Sequence, residues 1–297
     1  MIVIGTRGSE LALTQSRWVA SQLQSRGVET RLEIIKTQGD RVQDLALNKL
    51  EGKGFFTKEI EDALLAKRVD FAVHSLKDLP GEDTPGLTVA AIPVREDVRD
   101  CLIIRREAHD ADAGLLPVKR GARVGTSAVR RKAQLTHLRP DLRPQDLRGN
   151  VPTRLRKLDE QPFDAIVLAQ AGLTRLGLDL SAHVAVPLPP TQFVPAPGQG
   201  ALALQCRAGD VRVVEALRAL HHAADAECVA AERTLLLRLN GGCHMPLGAH
   251  AVRDAVGLRL HVFHGDAEDA TRTRRLSVTG ASAPAVAAAA FEELRRR

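Results

Sequence analysis

Short apolar runs alternate with helical periodicity along the first two-thirds of the chain. Ile2–Ile4 reads as a strand, followed by a helix from an N-cap at Ser9 to about Ser25, with Gly27 as its stop. Arg31–Ile35 is the next predicted strand, Thr57 to about Lys67 a helix capped by Thr57, and Phe71–His74 a strand. Leu87–Ile92 and Cys101–Ile104 are further apolar runs of strand length. The pattern restarts after Pro117. Ala122–Gly125 reads as a strand, Ser127–Leu138 as a helix, Gln145–Leu147 as a short strand and Pro152–Asp159 as a helix. Ala165–Leu168 is a strand of the buried type and Ala171–Leu176 a short helix. Strands separated by helices predict parallel α/β sheets covered on both faces.

Five prolines between Pro187 and Pro197 predict an extended connection, after which Gly198-Gln199-Gly200 leads into a strand at Ala201–Gln205. The last third reads differently. Val211–Leu220 and Ala224–Leu239 are helical; strands follow near Leu247–Val252, Leu258–Phe263 and Arg275–Val278; an alanine-rich helix closes the chain. The predicted class is therefore α/β, with two doubly wound units and a small α+β C-terminal domain. Two such units joined by extended crossovers predict a cleft, with ligands at the carboxyl ends of strands. No internal repeat of fixed period stands out.

A length of 297 residues exceeds one ordinary core, so two or three domains are expected. No stretch approaches the roughly 20 apolar residues of a membrane span. Met1-Ile2-Val3-Ile4 runs at once into Gly5 and Arg7, without the basic and apolar regions of a secretory signal, so a cytoplasmic address is expected. Cys101, Cys206, Cys228 and Cys243 are widely spaced and fit no metal-ligand pattern; reduced thiols and no metal are expected. The net charge is +6, and most of the basic side chains are arginine. Arginine's planar fork suits carboxylates and phosphates, although codon bias explains a bare count equally well. Aromatic residues at 3% and no tyrosine argue against a nucleic-acid surface.

Position makes the arginines informative. Gly125-Thr126-Ser127 links a strand to a helix whose first turn holds Arg130 and Arg131, where backbone N–H groups and the helix dipole favour an anion. Leu147-Arg148-Gly149-Asn150 repeats the arrangement, with Arg154 one turn into the next helix, and Arg7 and Ser9 sit similarly after the first strand. A lone pair of arginines would read as a solvated turn; clusters at several strand ends point to a ligand with several carboxylates. Lys77-Asp78 follows the strand Phe71–His74. Asp78 is either a turn residue or a carboxylate that stabilises a cation developing in a reaction. Gly241-Gly242-Cys243-His244 ends a long helix on a loop, where Cys243 is either an accessible nucleophile or a small packed side chain. Lys49 and Lys53, beside Gly52 and Gly54, belong to an ordinary loop or to a lid.

These segments, taken in order, resemble the hydroxymethylbilane synthase (porphobilinogen deaminase) family. The matching runs are Gly5-Thr6-Arg7-Gly8-Ser9, Gly52-Lys53-Gly54-Phe55-Phe56-Thr57-Lys58-Glu59, Val73-His74-Ser75-Leu76-Lys77-Asp78-Leu79-Pro80, Gly125-Thr126-Ser127-Ala128-Val129-Arg130-Arg131, Leu147-Arg148-Gly149-Asn150-Val151, Pro197-Gly198-Gln199-Gly200-Ala201, and Glu232-Arg233 through Gly241-Gly242-Cys243. The resemblance implies deaminative polymerisation of four porphobilinogen molecules into hydroxymethylbilane. It implies three domains: residues 1–94 with 194–211, residues 98–188, and residues 215–297, the first two like periplasmic binding proteins. It further implies a dipyrromethane cofactor in thioether linkage to Cys243, with Asp78 as the catalytic carboxylate. Arg7, Ser9, Lys77, Ser127, Arg130, Arg131, Arg148 and Arg154 would bind cofactor and substrate carboxylates; Lys49, Lys53 and Gln199 match positions near the cleft or lid. A monomer that needs neither nucleic acid nor membrane is implied. Two competing readings are a non-enzymatic anion-binding protein, which would not need Cys243, and a nucleic-acid binder suggested by the basic pI of about 9.4.

Overall fold

The structure is a computed structural model, and it describes residues 1–37, 57–81, 84–241, 245–266 and 272–296. The chain forms two compact units, one from Met1–Glu96 with Gly200–Glu227 and the other from Asp97–Gln199 with Cys228–Arg297.

The first unit is a five-stranded sheet built from β1 (Ile2–Thr6), β2 (Thr30–Ile34), β3 (Phe71–Ser75), β4 (Leu87–Ala91) and β10 (Leu202–Arg207) in the order β2-β1-β3-β10-β4. Helix α1 (Glu10–Gln24) begins where sequence places it: the Ser9 hydroxyl accepts a hydrogen bond from the Ala12 N–H. Its Val19 and Leu23 pack with Val213 and Leu217 of α6 (Val211–Arg218) over one face of the sheet, against Ile4, Phe71 and Leu204. Helix α2 (Lys58–Leu65) covers the other face through Ile60, Ala63 and Leu64. Thr57 precedes α2 as predicted, but its side chain makes no capping hydrogen bond.

In the second unit, β5 (Asp100–Arg105), β6 (Arg123–Gly125), β7 (Arg143–Gln145), β8 (Ala165–Ala169) and β9 (His183–Pro187) form a sheet ordered β7-β6-β8-β5-β9. Helices α3 (Val129–Leu138), α4 (Val151–Glu160) and α5 (Gln170–Leu176) cover its faces. Leu135 packs on one side with Leu102 and Val124, and Leu158 and Leu173 on the other with Ile103 and Ile166. The unit also contains the three-stranded antiparallel sheet β11 (Leu247–Asp254), β12 (Gly257–Gly265) and β13 (Thr273–Gly280). That sheet buries Ala249, Leu260 and Val262 against Ala231 and Leu235 of α7 (Ala223–Arg238) and Val286 and Ala290 of α8 (Ala283–Arg295). No helix among the described residues is long and apolar enough to cross a membrane.

The expectation of parallel sheets needs correction. Both large sheets are mixed rather than parallel: β10 runs antiparallel to β3 and β4, and β5 antiparallel to β8 and β9. The apolar runs of buried strands carry no direction; direction follows from where the chain enters. β10 returns after residues 97–199 beside the end of β3 from which the chain leaves, with Leu202 opposite Ser75. In addition, the two large sheets share one strand order, each with its antiparallel strand one place in from an edge. No sequence repeat signals this, because packing asks only for apolar residues on the right faces. Strand β9 and the 3₁₀ turn Leu76–Asp78 were also not predicted.

One buried group in the first unit sets a pH dependence. His74 on β3 shares a 3.1 Å hydrogen bond with Gln205, whose amide donates to Glu61 on α2. Burial, and then the nearby positive charge of Arg7, push its pKa from 6.5 to about 4, while the Gln205 bond works the other way. A depressed folded pKa means the contribution is complete above pH 6.5 and lost as pH falls through 4. Its full size is roughly 3 kcal/mol. Thermal melting between pH 6.5 and 4 should show a smaller loss for His74→Gln than for the unaltered protein.

Candidate active site

In the first unit, β1 and β3 are parallel neighbours, so the residues after each lie at one end of the sheet. Arg7 and Ser9 follow β1; Lys77 and Asp78 follow β3. A turn forms there because the Leu79 N–H donates to the Leu76 carbonyl, and the Leu76 N–H is held by the carbonyl of Ala201. Ser75 is fixed by Gln15 of α1 at 3.0 Å. Asp78 stands exposed on this turn and Lys77 is half-buried. Asp78 is thus an exposed residue on a braced backbone, a placement suited to meeting a ligand.

In the second unit the carboxyl ends of β6, β7 and β8 collect Ser127, Arg130, Arg131, Arg148 and Arg154. The Ser127 hydroxyl donates to the Leu147 carbonyl and accepts from the Leu147 N–H, tying the two strand-end loops together. Asn150 caps α4 through the Thr153 N–H. Gly149 has φ +116°, and a Cβ there would lie 2.6 Å from Thr153 Cγ2, so only glycine fits the bend. The Arg154 Nε donates to the Gly149 carbonyl at 2.7 Å, and Lys157 to the Arg148 carbonyl at 3.2 Å. The loop bearing Arg148 is thereby held in one conformation.

Arg130 and Arg131 are placed inside rather than at the surface, each 5% exposed. Both bind Asp100, the first residue of β5, which is fully buried: Arg130 through one amino group at 2.7 Å, Arg131 through Nε at 3.1 Å and an amino group at 2.7 Å. The same Arg130 amino group reaches the Val194 carbonyl, and Arg131 the Val167 carbonyl. Gln199 is fully buried and donates to Asp100 at 3.0 Å and to the Val98 carbonyl at 2.9 Å, so it is an interior bridge. Burial works to raise the Asp100 carboxyl, but Arg130 and Arg131 outweigh it and hold it well below the usual carboxylate range. Asp100 went unrecognised in the sequence; its only local signal is an acid directly before the apolar run Cys101–Ile104.

Two guanidinium ions around one carboxylate leave this buried cluster one negative charge short. An added carboxylate would supply it, worth roughly 4 kcal/mol at about 4 Å and an effective dielectric near 20. A ligand bearing several carboxylates fits this donor set. Lys49, Lys53 and Cys243 lie outside the described residues. The three described cysteines, Cys101, Cys206 and Cys228, are all buried. Burial pushes the thiol of Cys101 up to about 12 and that of Cys206 up to about 11, so neither is a nucleophile at neutral pH.

Two family models match the chain: "Porphobilinogen deaminase, dipyromethane cofactor binding domain" over residues 2–215, and "Porphobilinogen deaminase, C-terminal domain" over residues 226–294. A porphobilinogen deaminase from Syntrophotalea carbinolica is 52% identical over 250 residues, 84% of this chain and 77% of that one. One from Trichlorobacter lovleyi is 46% identical over 286 residues, covering 95% and 88%. One from Listeria innocua is 42% identical over 298 residues, covering 99% and 94%. Among solved structures, an ancestral cationic amino acid solute binding protein aligns with a TM-score of 0.45 at 13% identity, covering 74% of this chain and 87% of that one.

Proposed function

The chain belongs to the porphobilinogen deaminase family, and from that premise we propose which of its residues carry out the family's reaction. It is a hydroxymethylbilane synthase, a transferase of tetrapyrrole biosynthesis that joins four porphobilinogen molecules with loss of ammonia and uses a dipyrromethane cofactor. Cys243 would hold the cofactor through a thioether, and the group would supply a nucleophilic pyrrole carbon from which the product chain starts.

Porphobilinogen that loses its amine becomes an electrophilic methylene on a positively charged pyrrole. Asp78 lies against that cation and stabilises it, and its carboxylate accepts and returns the pyrrole and α-carbon protons. The exposure of Asp78 on its turn supports this role, since it leaves the residue open to a ligand. Each added ring brings an acetate and a propionate, so negative charge grows with the product. Arg7, Lys77, Arg148 and Arg154 bind these carboxylates, with Arg130 and Arg131 completing their charge balance on cofactor or substrate. Ser9 and Ser127 hold the loops that present them. Lys49 and Lys53 add further cations, and Gln199 braces Asp100. The protein works as a cytoplasmic monomer without nucleic acid or membrane, in three domains: residues 1–94 with 194–211, 98–188, and 215–297.

The observation that carries the site reading is the buried arginine pair short of one negative charge at the strand ends of the second unit. The test is a steady-state assay of ammonia release and hydroxymethylbilane formation from porphobilinogen. Arg148→Gln should raise KM about tenfold and change kcat much less, because it removes binding common to ground and transition states. An unchanged KM would remove Arg148 from the site.

A further inference from the structure

We propose that Asp100 is a positioning residue for the reaction: its buried carboxylate orients the guanidinium groups of Arg130 and Arg131 so that their other N–H groups meet the carboxylates of the ligand. The inference rests on the reading of the two arginines as ligand-binding residues and deepens it.

The geometry supports the division of labour. Asp100 meets the two forks with different oxygens: Oδ2 accepts from Arg130 and Oδ1 from Arg131. All of Arg130's bonds come from one amino group, which reaches Asp100 and Val194. Its Nε and its second amino group have no partner among the described residues. Arg131 faces Asp100 with its Nε edge and the Val167 carbonyl with the other amino group, leaving one N–H on each amino group. Asp100 therefore occupies one side of each fork and leaves the remainder for an incoming carboxylate.

Asp100 is itself held from several directions. Its backbone is the first rung of β5 against Ala169, and its N–H and C=O lie between β8 and β9. The Leu188 N–H donates to its carbonyl at 2.8 Å. Gln199 donates to Oδ1. Gln134 fixes Val194, the second acceptor of Arg130, by donating to its carbonyl at 2.9 Å and accepting from its N–H at 2.7 Å. With side chains at 6%, 6% and 0% exposure, these charges are little screened by solvent. Without the carboxylate, two buried like charges face each other and turn their forks away.

The test compares Asp100→Glu, Asp100→Asn, Arg131→Gln and the double variant Asp100→Asn/Arg131→Gln. Asp100→Glu keeps the charge and moves it by one methylene, so it reports even where Asp100→Asn does not fold. Intact mass gives the fraction of each protein carrying the cofactor; steady-state kinetics on the loaded fraction separate KM from kcat. The expected result is that both Asp100 variants lower cofactor loading and raise KM about tenfold, with kcat changed less than about threefold. The double variant should be worse than Arg131→Gln, but by less than Asp100→Asn costs on its own, because the part of the Asp100 effect that passes through Arg131 is already lost while the part through Arg130 remains. If Arg131→Gln lowers loading and raises KM but the Asp100 variants only lower the melting temperature, Asp100 is a structural ion-pair partner and the inference is overturned, with the arginine reading left standing. If Arg131→Gln itself changes neither loading nor KM, the arginine reading fails and takes this inference with it.

Discussion

Cys243→Ser should yield a protein whose measured mass matches its own chain, and the unaltered protein should be heavier by two linked pyrrole units. The argument is one of nucleophile chemistry. A thiol holds a few per cent of thiolate at neutral pH and attacks an electrophilic methylene readily; a serine hydroxyl does so only with an activating base. Other cysteines cannot substitute. With its pKa near 12, Cys101 holds on the order of one thiolate in 10⁵ at pH 7. Cys206 is similarly raised by burial, and Cys228 is buried in the core between α7 and the β11-β12-β13 sheet. Without the tether, turnover should fall by about 10³-fold or more, in line with losing a covalent nucleophile. Melting should change little relative to unloaded wild-type protein. A Cys243→Ser protein that still carries the added mass, or an unmodified wild-type protein at full activity, would defeat the assignment.

Asp78→Asn should separate binding from chemistry. The side chain is exposed on a turn held by backbone hydrogen bonds, so the substitution should shift stability by no more than about 0.5 kcal/mol. The amide keeps the shape but can neither balance a pyrrole cation nor take its proton. Those two losses together predict a kcat lower by about 10²- to 10⁴-fold. Intact mass should still show attached cofactor in at least part of the protein, and KM should move far less than kcat. Asp78→Glu, with the charge one methylene further out, should recover part of the rate. Near-normal ammonia release by Asp78→Asn would remove Asp78 from the chemistry.

The candidate residues divide by how local their signals are. Ser9 was legible as a helix cap because a cap is defined within three residues, and its bond to Ala12 is the expected one. Arg148 and Arg154 were legible as strand-end cations because a strand, a glycine bend and a helix follow one another directly in sequence. The placement of Arg130 and Arg131 inside the second unit was not. Each reads in sequence as a first-turn arginine for a ligand carboxylate, and only the fold brings Asp100 from 30 residues earlier in the chain to meet Arg130. Gln199 read as a neighbour of a cleft for the same reason; its partners Val98 and Asp100 are about a hundred residues away, at separations of 101 and 99.

By itself the sequence determined most of the strands and helices, the Ser9 cap, the arginine-rich strand ends and, through the ordered set of motifs, the family. These are encoded in periodicity and in contacts between near neighbours. Tertiary structure alone decided that β5 and β10 run against their neighbours, that two sheets without a sequence repeat share one strand order, and that one buried carboxylate binds two arginines. Each of these depends on which distant segments meet when apolar faces are buried. Hydrophobic burial has no direction and leaves no local mark of the partner it selects.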